Sequence, residues 1–269
     1  MIIKKQWRIL TVGDGDLSFS NALLNHQPAA LTATVYDSLA TMIDKYGDLF
    51  YQQLKMKNTP VLFEFDVCNA NSWTGLAKNS FDVVIFQFPL LPAFGSFSEY
   101  QNRCANININ TLNRRLLRDF LINSFNHFLD PNGQQLCFIT SKDVKPYRQW
   151  NIENSLNLQT DINYLGSIPF ALKMFPGYKI RNVDRDKHVK DTKGVTYVWS
   201  RQQNHAISGR LTAAQFQGAD YCTACRAGPF STDVDRIEHN HSKKHLQMMA
   251  LERLWATDIR DNPQQFNQN

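Results

Sequence analysis

The sequence predicts an α/β fold, in which a parallel β-sheet carries helices on both faces and a small metal-held segment follows near the C-terminus. Strand-like and helix-like stretches alternate over the first 140 residues, which is typical of successive βαβ units. Residues 81–88 carry the apolar run expected of a strand buried on both faces. Two cysteines and three histidines follow residue 221, and they set this last part of the chain apart.

The predicted elements follow in chain order. We expect strands at residues 7–12, 31–36, 61–65, 81–88 and 135–140. Helices are predicted at residues 18–24, at 39–46 behind a capping Ser38, in a short stretch at 72–78, at 110–129 and at 150–158. Residues 178–183 and 195–200 are rich in β-formers, so we expect them to form an antiparallel pair at the sheet edge.

Composition narrows the class of protein. Hydrophobic residues make up 43% of the 269-residue chain and include 18 phenylalanines, so a sizeable core is expected rather than disorder. No stretch approaches the ~20 apolar residues of a membrane span, and the N-terminus lacks the apolar run of a signal peptide. Five cysteines, an odd number, favour a metal-binding pair in an intracellular protein over a disulfide framework.

Positive charge is concentrated in one late segment. The net charge is +5, and between Lys173 and Arg201 eight Lys/Arg face three Asp/Glu. Such a segment suits a polyanionic partner, although a solvated basic face carries the same signal. We therefore expect this segment to be the main phosphate-facing surface.

A glycine turn follows the first predicted strand and opens the first helix. It reads Gly13-Asp14-Gly15-Asp16, and Ser18, Phe19 and Ser20 begin the helix. Glycine lets a backbone approach a ligand closely beside a helix N-terminus. Two aspartates would repel a pyrophosphate but suit a ligand with an ammonium group and ribose hydroxyls, such as S-adenosylmethionine.

Two further carboxylates follow neighbouring predicted strands. Asp37 ends the second strand, where a carboxylate accepts from ribose hydroxyls, and Asp66 ends the third, where it would accept from an adenine amine. The carboxyl ends of parallel strands form the ligand-binding edge of open α/β sheets. The alternative is that the glycines only make a tight turn and the aspartates cap helices.

Several ordered motifs resemble one family. Residues 9–20 resemble the opening motif of the Rossmann-like methyltransferases that include the fungal 25S rRNA (uridine-N(3))-methyltransferase. Further segments with this resemblance are residues 33–38, 81–89, 113–121, 146–152 and 175–179, so it covers roughly residues 8 to 201. The resemblance implies a Rossmann-like class I methyltransferase sheet, S-adenosylmethionine as the methyl donor and rRNA as the substrate.

The end of the fourth strand carries the candidate catalytic residues. The family usually has Asn-Phe-Pro-His there, whereas this chain has Gln87, Phe88, Pro89 and Leu90. No cysteine lies in this turn, which disfavours methylation at a pyrimidine carbon and favours transfer to nitrogen or oxygen. We expect Phe88 to stack on a base and Gln87 to hydrogen-bond to its edge.

Lys142 follows the fifth predicted strand and is the remaining candidate catalytic residue. Its ammonium group would stabilise a developing oxyanion, although an ordinary surface lysine is an equally good interpretation. The nearby Tyr147 and Trp150 are expected to pack against the domain rather than to form a stacking wall.

The C-terminal cysteines and histidines have the spacing of a zinc site. Cys222, Cys225, His239 and His245 form Cys-x2-Cys-x13-His-x5-His, which supplies two thiolates and two imidazoles for a tetrahedral structural zinc. His241 is a competing third ligand. We prefer His239 because the longer spacing resembles the matrin-type zinc fingers of RNA-binding proteins, and we expect one helix to continue through residues 246–254.

These observations predict a methyltransferase domain at residues 1–203, a linker at 204–218, a C2H2 finger segment at 219–256 and a frayed tail at 257–269. The expected function is S-adenosylmethionine-dependent methylation of N(3) of a uridine in rRNA. The alternative is an RNA-binding zinc-finger protein whose methyltransferase fold is inactive, which the Gln87 and Leu90 departures motivate. We expect RNA as the partner, no membrane association, a monomer, and the nucleolus in a eukaryote or the cytoplasm in a bacterium.

Overall fold

A computed structural model describes residues 1–91, 96–181 and 193–263. The described residues form one sheet in the order β3-β2-β1-β4-β5-β7-β6. Its strands are β1 (Arg8–Val12), β2 (Ala30–Thr34), β3 (Val61–Leu62), β4 (Val83–Gln87), β5 (Leu136–Ser141), β6 (Asn163–Phe170) and β7 (Gly194–Ser200). The first five strands are mutually parallel, and β7 runs antiparallel to both β5 and β6.

The helices connect these strands and extend beyond them. They are α1 (Ser18–Leu23), α2 (Leu39–Tyr46), α3 (Leu49–Met56), α4 (Phe97–Cys104), α5 (Ile109–Asn123), α6 (Ile152–Ser155), α7 (Asp233–His241) and α8 (Lys243–Asp261). Short 3-10 helices lie at Leu24–His26, Ala70–Ser72, Tyr147–Trp150, Leu172–Met174 and Ser208–Arg210, and α5 continues as a π-helical turn at Ser124–Phe128. Among these helices, none is long and apolar enough to cross a membrane.

Side chains from alternate strand positions enter two different cores, which places the central sheet between two apolar layers. Leu10 and Val84 are buried in one cluster together with Phe120 of α5. Ile9 and Val83, their neighbours along the same strands, are buried in the other. Successive strand residues point to opposite faces, so the predicted α/β class with helices on both faces is confirmed.

The predicted antiparallel pair at the sheet edge has one wrong member. β7 matches the prediction, but its partner is β6 rather than residues 178–183. Tyr178 to Arg181 form no strand, and residues 182 and 183 lie outside the described part of the chain. β6 was not predicted because it contains Gly166 and Pro169, two residue types that are unusual inside strands. Gly166 sits at a register shift with φ +136°, and Pro169 is tolerated because β6 is an edge strand.

Two predicted helices are much shorter than expected, and α3 and α4 were not predicted. The stretch 72–78 reduces to the 3-10 turn at Ala70–Ser72, which Asn69 caps. The stretch 150–158 reduces to α6. There the Arg118 side chain donates to the carbonyl oxygens of Leu156 and Leu158 at 2.7 and 2.8 Å, so these carbonyls are satisfied without further helix.

The C-terminal helix packs against the domain that contains the sheet, so the first residues of the tail expected at 257–269 are helical instead of frayed. α8 runs to Asp261 instead of ending at residue 256. Trp255 is 1% exposed and donates from Nε1 to the Ser155 carbonyl oxygen at 2.9 Å. The buried Arg114 of α5 pairs with Glu252 at 2.6 Å. Arg115 pairs with Asp258, so the first residues of the expected tail are held in place; residues 264–269 are outside the described range.

Substituting Trp255→Ala should lower the free energy of unfolding by about 3–5 kcal/mol, because it removes the largest side chain between α8 and the domain. Urea denaturation followed by far-ultraviolet circular dichroism measures this loss. Leu254→Ala is the matched control: Leu254 is 48% exposed on the same helix, and its change should stay within about 0.5 kcal/mol. Equal effects of the two variants would contradict the docking of α8.

Candidate functional site

The turn after β1 is held closely between its neighbouring strands. Gly13 has φ +63°, and a Cβ built there would lie 2.9 Å from the Phe86 ring of β4. The Asp14 amide donates to the Thr34 carbonyl oxygen at the end of β2 at 2.9 Å. The first glycine is therefore required both for its backbone conformation and for space.

The two aspartates of this turn have protein partners. Asp14 is buried, and its Oδ2 accepts from the Ser20 amide at 2.6 Å. Loss of hydration and repulsion by Asp16 raise the pKa of Asp14 to about 7. Asp16 accepts from the Ser18 amide at 3.0 Å and from the Arg181 guanidinium at 2.8 Å. The turn thus holds one charge-neutralised carboxylate beside one buried carboxyl.

The side chains at the start of α1 are buried and help to hold the glycine turn in place. Ser18 Oγ accepts from the Lys179 amide at 3.0 Å, and Ser20 Oγ lies 2.7 Å from Thr11 Oγ1. Phe19 is 1% exposed and packs on Phe175 at a ring distance of 5.3 Å. These three candidate cofactor residues are buried, and two of them, Ser18 and Phe19, join the opening motif to residues 175–179.

The ends of β2 and β3 bring the next two carboxylates to the same edge of the sheet. The Asp37 carbonyl oxygen accepts from the Glu64 amide at 3.1 Å, which links the two strand ends. The Asp37 carboxylate pairs with Lys45 of α2 at 3.0 Å. Asp66 Oδ1 accepts from the Cys68 amide at 2.9 Å. β3 is shorter than the predicted strand 61–65, so Asp66 lies beyond the strand rather than at its end. The loops after β2 and β3 are nevertheless adjacent, and each carboxylate orders its own loop.

Gln87 ends β4 with its amide unsatisfied. Neither Oε1 nor Nε2 has a hydrogen-bond partner among the described residues, although both atoms are buried. An unpaired buried amide is costly, which makes Gln87 a candidate for contact with a bound group. Gln87 is in register with Thr140 of β5, so it stands at the same edge as Gly13 and Asp37.

The rest of the turn after β4 is packed against the protein. Phe88 has φ 47°, and its amide donates to the Thr140 carbonyl oxygen at 2.8 Å. Its ring meets that of Phe170 edge-on at 5.7 Å. Pro89 is buried, and Leu90 packs against the core on the α5 side. Phe88 therefore has a protein partner in the place where a stacked base was predicted.

Lys142 follows β5 directly. Its Nζ lies 6.0 Å from the centre of the Tyr147 ring. Tyr147 in turn meets Trp150 edge-on at 4.9 Å, and Trp150 is 1% exposed. The expectation that these two aromatic residues pack against the domain is confirmed.

The four predicted zinc ligands converge. The ligand atoms of Cys222, Cys225, His239 and His245 all lie within 4.8 Å of one another. His245 Nδ1 is 3.5 and 3.6 Å from the two sulfurs and 3.1 Å from His239 Nε2. Ligands of a tetrahedral zinc would be separated by about 3.3–3.8 Å, given Zn–N and Zn–S distances of about 2.0–2.3 Å. The donor set and its spacing therefore fit zinc.

His241 is outside this cluster. Its Nδ1 lies 2.8 Å from the Ile237 carbonyl oxygen, within its own helix. The single helix expected through this region is wrong, because α7 ends at His241 and α8 begins at Lys243. Ser242 has an extended backbone between them, and its hydroxyl accepts from the His245 amide at 3.2 Å. This capped break brings His239 and His245 together.

Two arginines form ion pairs between distant parts of the chain that the sequence did not predict. Arg226, next to Cys225, pairs with Asp143 after β5 at 2.6 Å and with Glu153 at 3.8 Å. Arg181 pairs with Asp16 across 165 residues of chain. No local pattern marks such pairs, because the partners meet only once the sheet has formed. Of the basic segment between Lys173 and Arg201, residues 182–192 are not described, so the expected phosphate-facing surface there has no structural account.

Comparisons with known proteins agree with this arrangement. A family model described as "rRNA (uridine-N3-)-methyltransferase BTM5-like" matches residues 10–182. The 25S rRNA (uridine(2634)-N(3))-methyltransferase of Saccharomyces cerevisiae is 23% identical over 251 residues, covering 75% of this chain and 74% of the yeast protein. An uncharacterized Arabidopsis thaliana protein is 29% identical over 175 residues, covering 64% of this chain and 79% of its own length.

Among solved structures, the B. subtilis M1A22 tRNA methyltransferase is similar at 11% identity and a TM-score of 0.42, over 96% of this chain and 94% of its own. The family match carries the assignment, since it spans more than half of the chain and includes the glycine turn, β4 and residues 175–179. The chain belongs to the BMT5-like family of rRNA (uridine-N3-)-methyltransferases.

Proposed function

We propose that this protein transfers a methyl group from S-adenosylmethionine to N3 of a uridine in rRNA. The observation that carries the proposal is the unsatisfied, buried amide of Gln87 at the end of β4. It stands one strand away from the glycine turn, in a chain of the BMT5-like family. The yeast relative supports N3 of uridine as the acceptor.

The Gln87 amide suits the chemistry of uracil. The N3 proton must leave before or while nitrogen accepts the methyl group, and negative charge then spreads to the neighbouring carbonyl oxygens. An N–H donor held at such an oxygen stabilises that charge in a dry site. The Gln87 Nε2 group is such a donor, and Lys142 after β5 would supply a positively charged ammonium group near the same edge. The methyl group leaves sulfur as nitrogen bonds to it, and the proton passes to solvent.

The acidic turn fits the methyl donor. S-adenosylmethionine supplies, when bound, an electrophilic methyl group on a cationic sulfonium, and it also carries an ammonium group. Burial disfavours the ionised form of Asp14, and a nearby cation would favour it again. Asp37 is oriented by Lys45 and has carboxylate oxygens suited to ribose hydroxyls. Asp66 would face the adenine, and the side chains of Ser18, Phe19 and Ser20 would act by holding the turn.

We further propose that Cys222, Cys225, His239 and His245 hold a structural zinc ion. The convergence of the four ligand atoms supports this assignment. All four tetrahedral positions would be filled by protein atoms, which leaves no position for a reacting water. The metal would therefore stabilise the finger segment and, through Arg226, the loop after β5.

Replacing Gln87 tests the reaction. Gln87→Ala should reduce kcat by about 100- to 1,000-fold, as expected for the loss of one donor to developing charge, while S-adenosylmethionine affinity stays unchanged. Gln87→Asn keeps the amide and should retain part of the activity. Transfer of labelled methyl groups to rRNA from cells lacking the protein, followed by mass spectrometry of nucleosides, measures both.

Full activity of Gln87→Ala would contradict the role of its amide. A wild-type protein that binds rRNA yet forms no methylated uridine would instead support the alternative of an RNA-binding protein with an inactive fold, which the packed Leu90 at the family's histidine position motivates.

Asp37→Asn should weaken S-adenosylmethionine binding by about 10- to 150-fold, since hydrogen bonds to a charged acceptor contribute about 1.5–3 kcal/mol. Isothermal titration calorimetry measures the affinity. Asp44→Asn is the control, because it removes the same charge from an exposed position of α2, the helix that follows Asp37. If both variants bind like the wild type, Asp37 does not contact the donor.

His239→Asn should reduce the zinc content of the purified protein well below one ion per chain, whereas His241→Asn should leave it at one. Inductively coupled plasma mass spectrometry gives the stoichiometry. The two histidines lie two positions apart, and only His239 joins the cluster. Equal zinc contents in the two variants would show that the cluster is not the metal site.

A further inference from the structure

An open groove separates the finger segment from the loop after β5. Its first part has a volume of about 400 Å³. Lys145 and Arg148 line it from the methyltransferase-like domain, and Phe216, Arg226 and Lys244 line it from the C-terminal part of the chain. The Arg226–Asp143 pair at 2.6 Å connects the two walls. The groove is thus built by both parts of the protein together.

The groove is positively charged. Asp143 is the only acidic residue among the described residues that line its first part. That carboxylate is already held by Arg148 at 3.0 Å and by Arg226 at 2.6 Å. Lys145 and Lys244 are exposed and have no ion pair within the described ranges. Two uncompensated ammonium groups facing one groove favour a ligand with repeated negative charge.

The groove leads to the candidate active site. A second cavity of about 380 Å³ shares Asp143 and Arg148 with the first and extends to Gly194 at the start of β7. Gly194 lies against the Phe88 ring, since a Cβ built there would be 2.9 Å from it. Phe88 follows Gln87 directly, so the second cavity ends beside the turn that carries the unsatisfied amide.

The reaction proposed above requires an unpaired uridine, which favours single-stranded RNA as the ligand of the groove. N3 of uridine lies on the Watson–Crick edge, so the target must be unpaired when it reacts, and an enzyme acts on it in a single strand or after extruding it. Single strands bind to grooves that combine cations for phosphates with aromatic rings for bases. Phe216 supplies such a ring, and the Arg226 guanidinium lies 5.7 Å from its centre.

We propose that this groove binds the single-stranded RNA that flanks the target uridine, with Lys145 and Lys244 contacting its phosphates. The inference rests on the proposed function and extends it to a surface outside the catalytic turn. It makes the finger segment one wall of the substrate channel rather than a separate RNA-binding module.

The test measures the anisotropy of a fluorescein-labelled oligouridylate of about 12 nucleotides with the full-length protein. Counterion release contributes about fivefold per phosphate contact at ~0.1 M salt for a single strand, so Lys145→Ala/Lys244→Ala should weaken binding about 25-fold. The slope of log affinity against log salt should become shallower by about 1.4. S-adenosylmethionine affinity and the free energy of unfolding should not change.

Lys55→Ala/Lys57→Ala is the matched control, because it removes the same two charges from exposed positions at the end of α3. If both double variants weaken binding equally, or if neither changes the salt slope, the groove is not the binding site. If an RNA duplex of the same length binds as tightly and depends equally on Lys145 and Lys244, the assignment to a single strand is overturned.

The same proteins separate this inference from the proposed function. If the wild type methylates rRNA but the groove variant binds the oligonucleotide normally, the groove assignment fails and the activity stands. If the wild type forms no methylated uridine, yet oligonucleotide binding depends on Lys145 and Lys244, the activity fails and the groove stands as an RNA site.

Discussion

The contact between Gly13 and the Phe86 ring is the constraint on which the site depends. Because Gly13 has no side chain, the chain after β1 can turn directly over the Phe86 ring at the end of β4. A Cβ at position 13 would lie only 2.9 Å from that ring. That turn places the Asp14 amide on β2 and the Asp14 carboxyl against α1. Because β4 is fixed beside it, Gln87 ends at the same edge of the sheet. One close approach of backbone and ring therefore aligns the strands that would hold donor and acceptor.

The electrostatics of this edge differ from one strand end to the next. Asp16 is neutralised by Arg181 and Asp37 by Lys45, whereas Asp14 is buried and forms no ion pair within the described ranges. Burial and repulsion by Asp16 raise the pKa of Asp14, and a nearby cation would lower it again. The site thus presents neutralised carboxylates that order loops next to one group that responds to a cationic ligand. A ligand with separate cationic and hydroxyl-bearing parts matches this division.

Features with a local signal could be predicted from the sequence. The apolar run of β4, the glycine turn and the cysteine–histidine spacing each depend on residues close together in the chain, and each was placed correctly. β6 was missed because Gly166 and Pro169 argue against a strand unless its position at the sheet edge is known. The roles of Ser18 and Phe19 could not be foreseen, because residues 175–179, which contact them, are distant in the chain. The pairs made by Arg226 and Arg181 depend in the same way on long-range assembly.

Helix α8 has a consequence for how the protein is made. It begins beside the cysteine–histidine cluster, and its Glu252 pairs with the buried Arg114 of α5. During synthesis the sheet and α5 leave the ribosome well before α8. The Arg114 guanidinium can therefore pair with Glu252 only after α8 has been made. An unpaired buried charge is strongly unfavourable, and nascent domains with uncovered surfaces are prone to aggregate. The folded arrangement around Arg114 can therefore form only after α8 has been translated.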